Sequence, residues 1–443
     1  MSLSKPLERF LQVLCLFWFL TILVGWIERN ILHLSVGYWY PFNPRYMQFT
    51  DFTVFRERFR YFHEANFFQL AGYPFTYPAP VAIVFDGFFH LGAYALKSFI
   101  VFCFVAFMGA GFALGRAMIC RGLGKAQTVV FIGLSMLFSY PFWFLVDRAN
   151  IEMVNWLLVV LGMTSYWKKR WYLAAMFFGV AASFKVFPFV FLGLLLAGRK
   201  YWAVVWGIVI CAFTTLASIW FIGPTYGIAS EGIRQGLGFF RTHFALQVNA
   251  IGFDHSAFAI VKELLLIFRQ HLFSESAAQV LYYLPWLNGY MAVAAATGLI
   301  LFFWKIRTLP RANQILALTV ATVLLPPVSY DYTLVFLYIP WGVLILVSIA
   351  TKNVGKVRGL VFGFVCMAFL MAPESFAVVI YSIRIAGQLK AIVLLILFIV
   401  SLSCPFEEPA SDSDHVQLPQ VPTERAGFDF DAFENCPRSV FPK

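Results

Sequence analysis

Charged residues are scarce in this chain. Asp, Glu, Lys and Arg together make up 12% of its 443 residues, whereas soluble domains carry about 25%. Hydrophobic residues reach 61%, and the mean hydropathy is +0.77. This balance excludes an ordinary soluble domain and indicates a polytopic membrane protein whose core consists of its own transmembrane helices.

Metal-ligand spacings are also missing. The seven cysteines show no CxxC pair, so we expect them to be small buried hydrophobic residues. The first long polar stretch holds one carboxylate, Asp51, without a second one close enough for a DxD pair. We therefore expect no metal and no other cofactor. The net charge of +11 is spread over short loops, where it reports topology and does not indicate nucleic-acid binding.

Apolar segments alternate with short basic loops, and every short loop assigned to the cytoplasm carries Lys or Arg. This pattern places both termini inside and predicts an all-α bundle of about 11–13 spans or half-spans over residues 1–404. External loops are expected at 30–80 and 223–285, and the Pro- and acid-rich segment 405–443 is expected to be a disordered cytoplasmic tail. The expected spans are Leu11–Ile27, Phe99–Leu114, Val129–Val146, Ile151–Trp167, Trp202–Ile222, Gly289–Trp304, Ile315–Pro327, Leu334–Ile349, Leu360–Met371 and Ala391–Leu402.

Three apolar segments are too short for a full crossing of about 20 residues. Val81–Tyr94 is interpreted as a helix that dips into the interface. Tyr172–Phe184 and Phe189–Ala197 are interpreted as two half-deep helices with Lys185 between them. An ionisable residue at membrane depth is by default a site candidate, and Lys185 has no carboxylate nearby in sequence.

The stretch Arg45–Pro80 is the first long polar interruption of the chain. After Asp51, aromatic residues recur at helical spacing opposite charged ones, which predicts an amphipathic helix in the headgroup region. Asp is also a preferred helix cap, so capping by Asp51 is an alternative to a chemical role. The stretch closes with Tyr77-Pro78-Ala79-Pro80, which cannot lie inside a helix.

The unusual polar residues collect on the predicted external face. They are Asp51, the Asp147-Arg148-Ala149-Asn150 corner, Lys185, Arg241, Gln247, Asn249, Asp254, His255, Tyr330 and Asp331. A lone external carboxylate suits general-base catalysis on a hydroxyl. The cations Arg148, Lys185 and Arg241 could hold a lipid phosphate. Plainer alternatives are a local Asp147–Arg148 pair and a His255 without a specific role.

Four segments are similar to motifs of one family. Thr50–Phe55 resembles an aspartate-aromatic motif, and Phe75–Pro80 resembles a Tyr-Pro-Pro element. Arg148-Ala149-Asn150 with Gly179–Pro188 resembles Gln-x-Asn and Ala-x-x-Lys-x-x-Pro, and Pro326–Tyr332 resembles Ser-Trp-x-His. On these segments the chain resembles glycosyltransferase family 87, a polyprenol-phosphate-sugar-dependent group with the GT-C fold. The departures are Arg148, where the family has glutamine, and Asp331, near a common histidine.

The resemblance implies a metal-independent, inverting hexosyltransferase. A bacterial-type plasma membrane is expected by default, because no organelle signal is legible in the sequence. Asp51 would be the base that activates a hydroxyl of a lipid or glycan acceptor for attack on C1 of a polyprenyl-phosphate sugar, usually mannose. Lys185 and Arg148 would stabilise the leaving phosphate. Arg241, which belongs to none of the four motif segments, is expected as a further phosphate ligand from its charge and predicted depth. The implied substrate-binding residues are Asn150, Tyr77, Gln247, Asn249, His255, Tyr330 and Asp331. Membrane lipids are expected partners, and nucleic acid is not.

Two other functions fit a chain of this composition. A transporter or lipid flippase would line a path with polar residues, and it predicts matching polar groups in the cytoplasmic half and internal repeats. Neither is visible in the sequence. A non-catalytic scaffold of a cell-envelope complex would use the second external loop as a docking surface.

Overall fold

The structure is a computed structural model, and it describes residues 5–31, 33, 48–248, 251–268, 276–350, 358–373, 379–380, 383–384 and 386–406. It confirms the predicted all-α, polytopic architecture. Asn249, part of the first external loop (34–47) and nearly all of the predicted tail 405–443 lie outside the described residues. The division into a membrane domain and a tail therefore stays a prediction.

The helices are numbered in chain order. They are α1 (Lys5–Asn30), α2 (Thr50–Thr53), α3 (Asn66–Gln69), α4 (Ala79–Phe89), α5 (Ala95–Cys120), α6 (Lys125–Leu137), α7 (Tyr140–Arg148), α8 (Glu152–Trp167), α9 (Trp171–Phe184), α10 (Leu192–Ala197), α11 (Tyr201–Ile222), α12 (Tyr226–Phe240), α13 (Ala257–Phe268), α14 (Ser276–Trp304), α15 (Arg311–Leu324), α16 (Tyr338–Ala350), α17 (Arg358–Met371) and α18 (Ala386–Ser403). Two residues each form the antiparallel strands β1 (Val379–Ile380) and β2 (Ile383–Arg384).

Long and short apolar helices are mixed, as the sequence predicts. Within the described ranges, six helices are long and apolar enough to cross a membrane, and α6 with α7 forms a further candidate span bent by 49°. Pro141 in the first turn of α7 explains the bend, because proline cannot continue a helix from the preceding residues. Five further helices are apolar but shorter, including α9 and the Phe187–Ala197 segment on either side of Lys185. Helices α15 and α17 also belong to this shorter group, although the sequence predicted full spans at Ile315–Pro327 and Leu360–Met371.

The prediction of one amphipathic surface helix after Asp51 is wrong. The segment forms separate turns, α2 and a 3₁₀ helix at Arg58–Tyr61, and three of its four phenylalanines are buried in the core. Arg58 is itself buried, and its guanidinium donates to the carbonyls of Phe67, Leu70 and Tyr73 at 2.6–2.9 Å. A buried cation that gathers three carbonyls folds the loop back on itself, which a helix lying on the surface does not do.

Helices α9 and α11 approach each other at their backbones. A Cβ on Gly179 would lie 2.4 Å from the carbonyl oxygen of Gly207. Small residues at such crossings let membrane helices pack without intervening side chains. The crossing fixes the end of α9, and therefore the position of Lys185, against α11.

Replacing Gly179 by alanine is expected to lower the melting temperature of the purified protein. The new methyl group would meet backbone that cannot rotate away, and overpacking of this kind costs about 1–3 kcal/mol. The control is Gly133→Ala in α6, where an added Cβ has nothing within 4 Å. Equal melting temperatures for both variants in detergent would show that the α9–α11 crossing is not close.

Candidate active site

A tight corner between α7 and α8 positions the first polar side chains. Ala149 adopts a left-handed conformation with φ of 48°, which reverses the chain between Arg148 and Asn150. The backbone N–H of Phe49 donates to the carbonyl of Asp147 at 2.6 Å. This hydrogen bond docks the start of α2 on the corner and brings Asp51 beside it.

Asp51 accepts one hydrogen bond on each carboxylate oxygen. Arg148 Nη2 donates to Oδ1 at 2.6 Å, and Asn150 Nδ2 donates to Oδ2 at 2.7 Å. The Asp51 side chain is 15% exposed. The helix-cap alternative is wrong, because Phe49 occupies the N-cap of α2 and Asp51 lies within the helix. Arg148 pairs with this carboxylate 97 residues away, so the corner is more than a local turn.

Tyr77 joins the same group through Asn150. The Asn150 amide and the Tyr77 hydroxyl are 3.5 Å apart, and the Tyr77 ring packs against Phe55, Phe75 and Phe85. Burial raises the pKa of Tyr77 well above its usual value, and the negative charge of Asp51 adds to this effect. Tyr77 is therefore a neutral hydroxyl that can orient a polar ligand.

Lys185 is connected to Asp51 by a residue that sequence reasoning missed. Its ammonium forms an ion pair with Glu152 Oε2, and the backbone N–H of Glu152 donates to Asn150 Oδ1 at 2.9 Å. The Glu152 side chain is 1% exposed, and that of Lys185 is 25% exposed. The available signal was a carboxylate in the first turn of a predicted span, two residues after Asn150.

Aromatic residues close the side of the group that faces the loop after α15. Lys185 Nζ lies 5.3 Å from the centre of the Tyr332 ring, and Phe144 stacks on Tyr332 with the ring centres 6.2 Å apart. Tyr330 lies close enough that the charge of Asp51 contributes to a raised pKa, although burial and then Asp254 are the larger causes. The late Tyr-Asp-Tyr segment therefore borders the site.

His255 and Asp331 belong to a second, fully buried cluster. Asp331 Oδ1 pairs with Lys390 Nζ of α18 at 2.9 Å and lies 3.6 Å from His255 Nδ1. His255 Nε2 is 3.1 Å from the hydroxyls of Ser329 and Thr333. The structure thus places His255 and Asp331, two predicted substrate-binding residues, next to each other. Their contacts hold the loop that carries Tyr330 and Tyr332.

The remaining predicted residues are placed elsewhere. Arg241 follows α12 and donates to Asn288 of α14 at 2.8 Å. Gln247 is buried, and its carbonyl lies 3.5 Å from Lys262 Nζ, which in turn approaches Asp254 at 3.6 Å. Their binding roles, like those of His255 and Asp331, stay predictions.

The arrangement can perform proton transfer beside two cations. Among the described residues, no three His, Cys, Asp or Glu side chains cluster as a metal site would require. Asp51 supplies a carboxylate, Asn150 and Tyr77 supply polar groups that orient a ligand, and Arg148 and Lys185 supply positive charge for an anion. Such a site suits transfer of a group away from a phosphate.

Comparison with known protein families identifies the family of the chain. A model of glycosyltransferase family 87 matches residues 75–327, which is more than half of the chain. No curated protein and no solved structure shows a significant match. The matched segment contains Tyr77, Arg148, Asn150, Glu152 and Lys185, whereas Asp51 precedes it.

Proposed function

Since the chain belongs to glycosyltransferase family 87 and is therefore a membrane glycosyltransferase, we propose that it transfers a hexose from a polyprenyl phosphate to a hydroxyl acceptor. Asp51 is the general base in this proposal. The observation that carries it is the placement of Asp51 between Arg148 and Asn150. Asn150 in turn accepts a hydrogen bond from the backbone of Glu152, which pairs with Lys185. Mannose is the proposed sugar, by the resemblance of the motifs.

Asp51 takes the proton of the acceptor hydroxyl while that oxygen forms a bond to C1 of the sugar. The bond from C1 to the phosphate oxygen breaks on the opposite face, which inverts the anomeric centre. The polyprenyl phosphate leaves as an anion and needs no general acid, because phosphate is already a weak base.

Positive charge beside the carboxylate supports this assignment. Arg148 and Lys185 are 22% and 25% exposed, so both can reach a phosphate while they keep their carboxylate partners nearby. Fixed cations where negative charge develops stabilise the transition state. A donor phosphate that accepts a hydrogen bond from the Arg148 guanidinium would weaken the contact between Arg148 and Asp51 Oδ1. That carboxylate oxygen would then be accessible to the acceptor hydroxyl.

The contacts of Asp51 also support a reaction without a metal. A hard divalent cation needs several oxygen ligands, whereas both oxygens of Asp51 accept hydrogen bonds from nitrogen donors. The proposed location is a bacterial-type plasma membrane with the site on the external face and both termini in the cytoplasm. The distribution of basic loops supports that orientation.

Wild-type protein in detergent micelles is expected to transfer label from polyprenyl-phosphate mannose to a lipid extract in the presence of excess EDTA. Polyprenyl-phosphate glucose and a nucleotide-linked mannose serve as alternative donors in parallel reactions. Loss of transfer on adding EDTA would contradict the metal-independent mechanism. Transfer from the nucleotide sugar alone would contradict the lipid-linked donor, and a better rate with glucose would correct the sugar.

A further inference from the structure

A cavity of about 380 Å³ lies between α5, α6, α8 and α16, away from the residues of the candidate active site. Its walls are apolar over most of their area, and the aromatic residues Phe107, Trp156 and Trp341 are among the lining residues. Cavities of roughly 300–1,000 Å³ with such walls are typical of ligand sites. The size and the lining indicate a molecule with a hydrocarbon part.

One end of the cavity is basic. Lys168 and Arg170, which follow the last turn of α8, line it together with Trp167. Lys168 and Arg170 are both exposed. Basic pockets between membrane helices bind anionic lipid head groups. An apolar wall that ends in two cations is complementary to an amphiphile with a negative head group.

The length of the cavity fits one leaflet of a bilayer. Trp156 and Lys168 both line it and are separated by twelve residues of α8, which corresponds to about 18 Å at 1.5 Å per residue. Half of a hydrocarbon core of about 30 Å is about 15 Å. A membrane acyl chain anchored at Lys168 and Arg170 would therefore fill the cavity lengthwise.

The basic end lies at the end of α8 opposite the candidate active site. Glu152 and the Asn150 corner are at the start of this helix, whereas Lys168 follows its last residue. A donor whose phosphate reacts near Lys185 cannot at the same time place that phosphate at Lys168. A lipid whose phosphate contacts Lys168 and Arg170 is therefore a different molecule from the one that reacts.

We propose that this cavity binds one anionic glycerophospholipid from the leaflet opposite the candidate active site. Its phosphate contacts Lys168 and Arg170, and one acyl chain lies between α5, α8 and α16. The lipid fills the space between α8, which carries Glu152 at its start, and the helices α5, α6 and α16, so it stabilises the helix bundle beneath the site. It takes no part in the sugar transfer.

The test is native mass spectrometry of the full chain in detergent, titrated with dioleoyl phosphatidylglycerol or dioleoyl phosphatidylcholine. The two lipids share their acyl chains and differ in head-group charge. We expect one phosphatidylglycerol to bind tightly and to raise the melting temperature, with phosphatidylcholine at least roughly tenfold weaker. Equal affinity for the two lipids would overturn the proposal.

Two variants separate the basic end from the apolar cavity. Lys168→Gln with Arg170→Gln is expected to weaken phosphatidylglycerol binding roughly tenfold or more. The matched control is Lys305→Gln with Arg307→Gln, an exposed pair of the same spacing after α14 that does not line the cavity. Similar losses in both double variants would mean that lipid is attracted by general surface charge, against the proposal.

The second variant fills the cavity. Gly342 lines it, and a Cβ there would make ordinary contacts of 3.7 Å with Leu114, so Gly342→Phe is expected to exclude the acyl chain and abolish tight binding. Gly109→Phe on α5 is the control, because nothing lies within 4 Å of its added Cβ. A folded Gly342→Phe protein that binds phosphatidylglycerol like the Gly109→Phe control would overturn the proposal, and if Gly342→Phe does not fold, the charge variants decide.

A third arm uses undecaprenyl phosphate. Tighter binding of this lipid than of phosphatidylglycerol, lost in the Lys168 and Arg170 double variant, would contradict the proposal, because the cavity would then hold a lipid of the donor type. The readouts are mass and melting temperature, with no sugar transfer involved. The lipid site can therefore fail while the proposed transferase activity stands, and the reverse also holds.

Discussion

Replacing Asp51 by asparagine is expected to lower kcat for sugar transfer by about 10³-fold, within the range of 10² to 10⁴ that general-base catalysis contributes. Asparagine keeps the shape of the side chain and can still accept from Asn150, but it cannot take a proton. The donor KM is expected to change little, since Arg148 and Lys185 remain. Initial rates with labelled polyprenyl-phosphate mannose measure both constants.

The control for this variant is Glu57→Gln. Glu57 is an exposed carboxylate in the same loop and pairs with Arg60 at 2.9 Å, so its replacement is expected to leave the rate unchanged. Melting temperatures of all three proteins show whether they are folded. A folded Asp51→Asn protein with the wild-type rate would exclude Asp51 as the base.

Removing Lys185 is expected to destabilise the protein strongly, because Glu152 would become a buried carboxylate without a cation. Breaking a buried ion pair from one side costs roughly 3–5 kcal/mol. Glu152→Gln is expected to cost less, because Lys185 is one-quarter exposed and can reach water. The double variant Lys185→Met with Glu152→Gln is expected to recover most of the lost stability, since no charge is left unpaired.

Activity separates a structural role of Lys185 from a catalytic one. If Lys185 stabilises the leaving phosphate, the double variant is folded but slower by about 10²–10³-fold, as for the loss of one transition-state contact. Melting curves and kcat/KM for the wild type, the two single variants and the double variant form a double-mutant cycle. The exposed pair Glu231 and Arg234 serves as a control whose removal is expected to leave both quantities unchanged. A double variant with wild-type rates would limit Lys185 to a structural role.

Composition was enough to predict the class of fold. Helices that must satisfy their own backbone in lipid need apolar runs of a set length, so six of the predicted spans and the two short helices around Lys185 could be read directly. The prolines of Tyr77-Pro78-Ala79-Pro80 likewise stay out of the helix interior, as predicted: Pro78 is the N-cap of α4 and Pro80 lies in its first turn. These features depend on residues that are neighbours in sequence.

Partners in space could not be read in this way. Lys185 and Glu152 are 33 residues apart and lie on different helices, so the choice of partner is made by the packing of α8 on α9. The phenylalanines after Asp51 have a helical spacing, yet Arg58 finds three carbonyls in a folded loop and draws those rings into the core. Local pattern predicts a surface helix, and tertiary hydrogen bonds override it.

The polarity of a residue also did not distinguish a candidate catalytic side chain from a buried structural one. Asp51, His255 and Asp331 all fall in predicted external loops. The structure leaves Asp51 partly exposed beside two cations, whereas His255 and Asp331 are fully buried. The exposure of a loop side chain depends on which loops pack over it, and this packing cannot be read from the sequence alone.

The pairing of Lys390 with Asp331 has a consequence for how the polypeptide is made. Lys390 lies on α18, near the C-terminal end of the described chain, while Asp331 fixes the loop that carries Tyr330 and Tyr332. The ribosome completes that loop before it synthesises α18, so Asp331 has His255 beside it but lacks its lysine partner until α18 inserts. The site can therefore reach its final form only after synthesis of nearly all of the membrane part, and a nascent chain that stopped before α18 would expose an unfinished site to quality control.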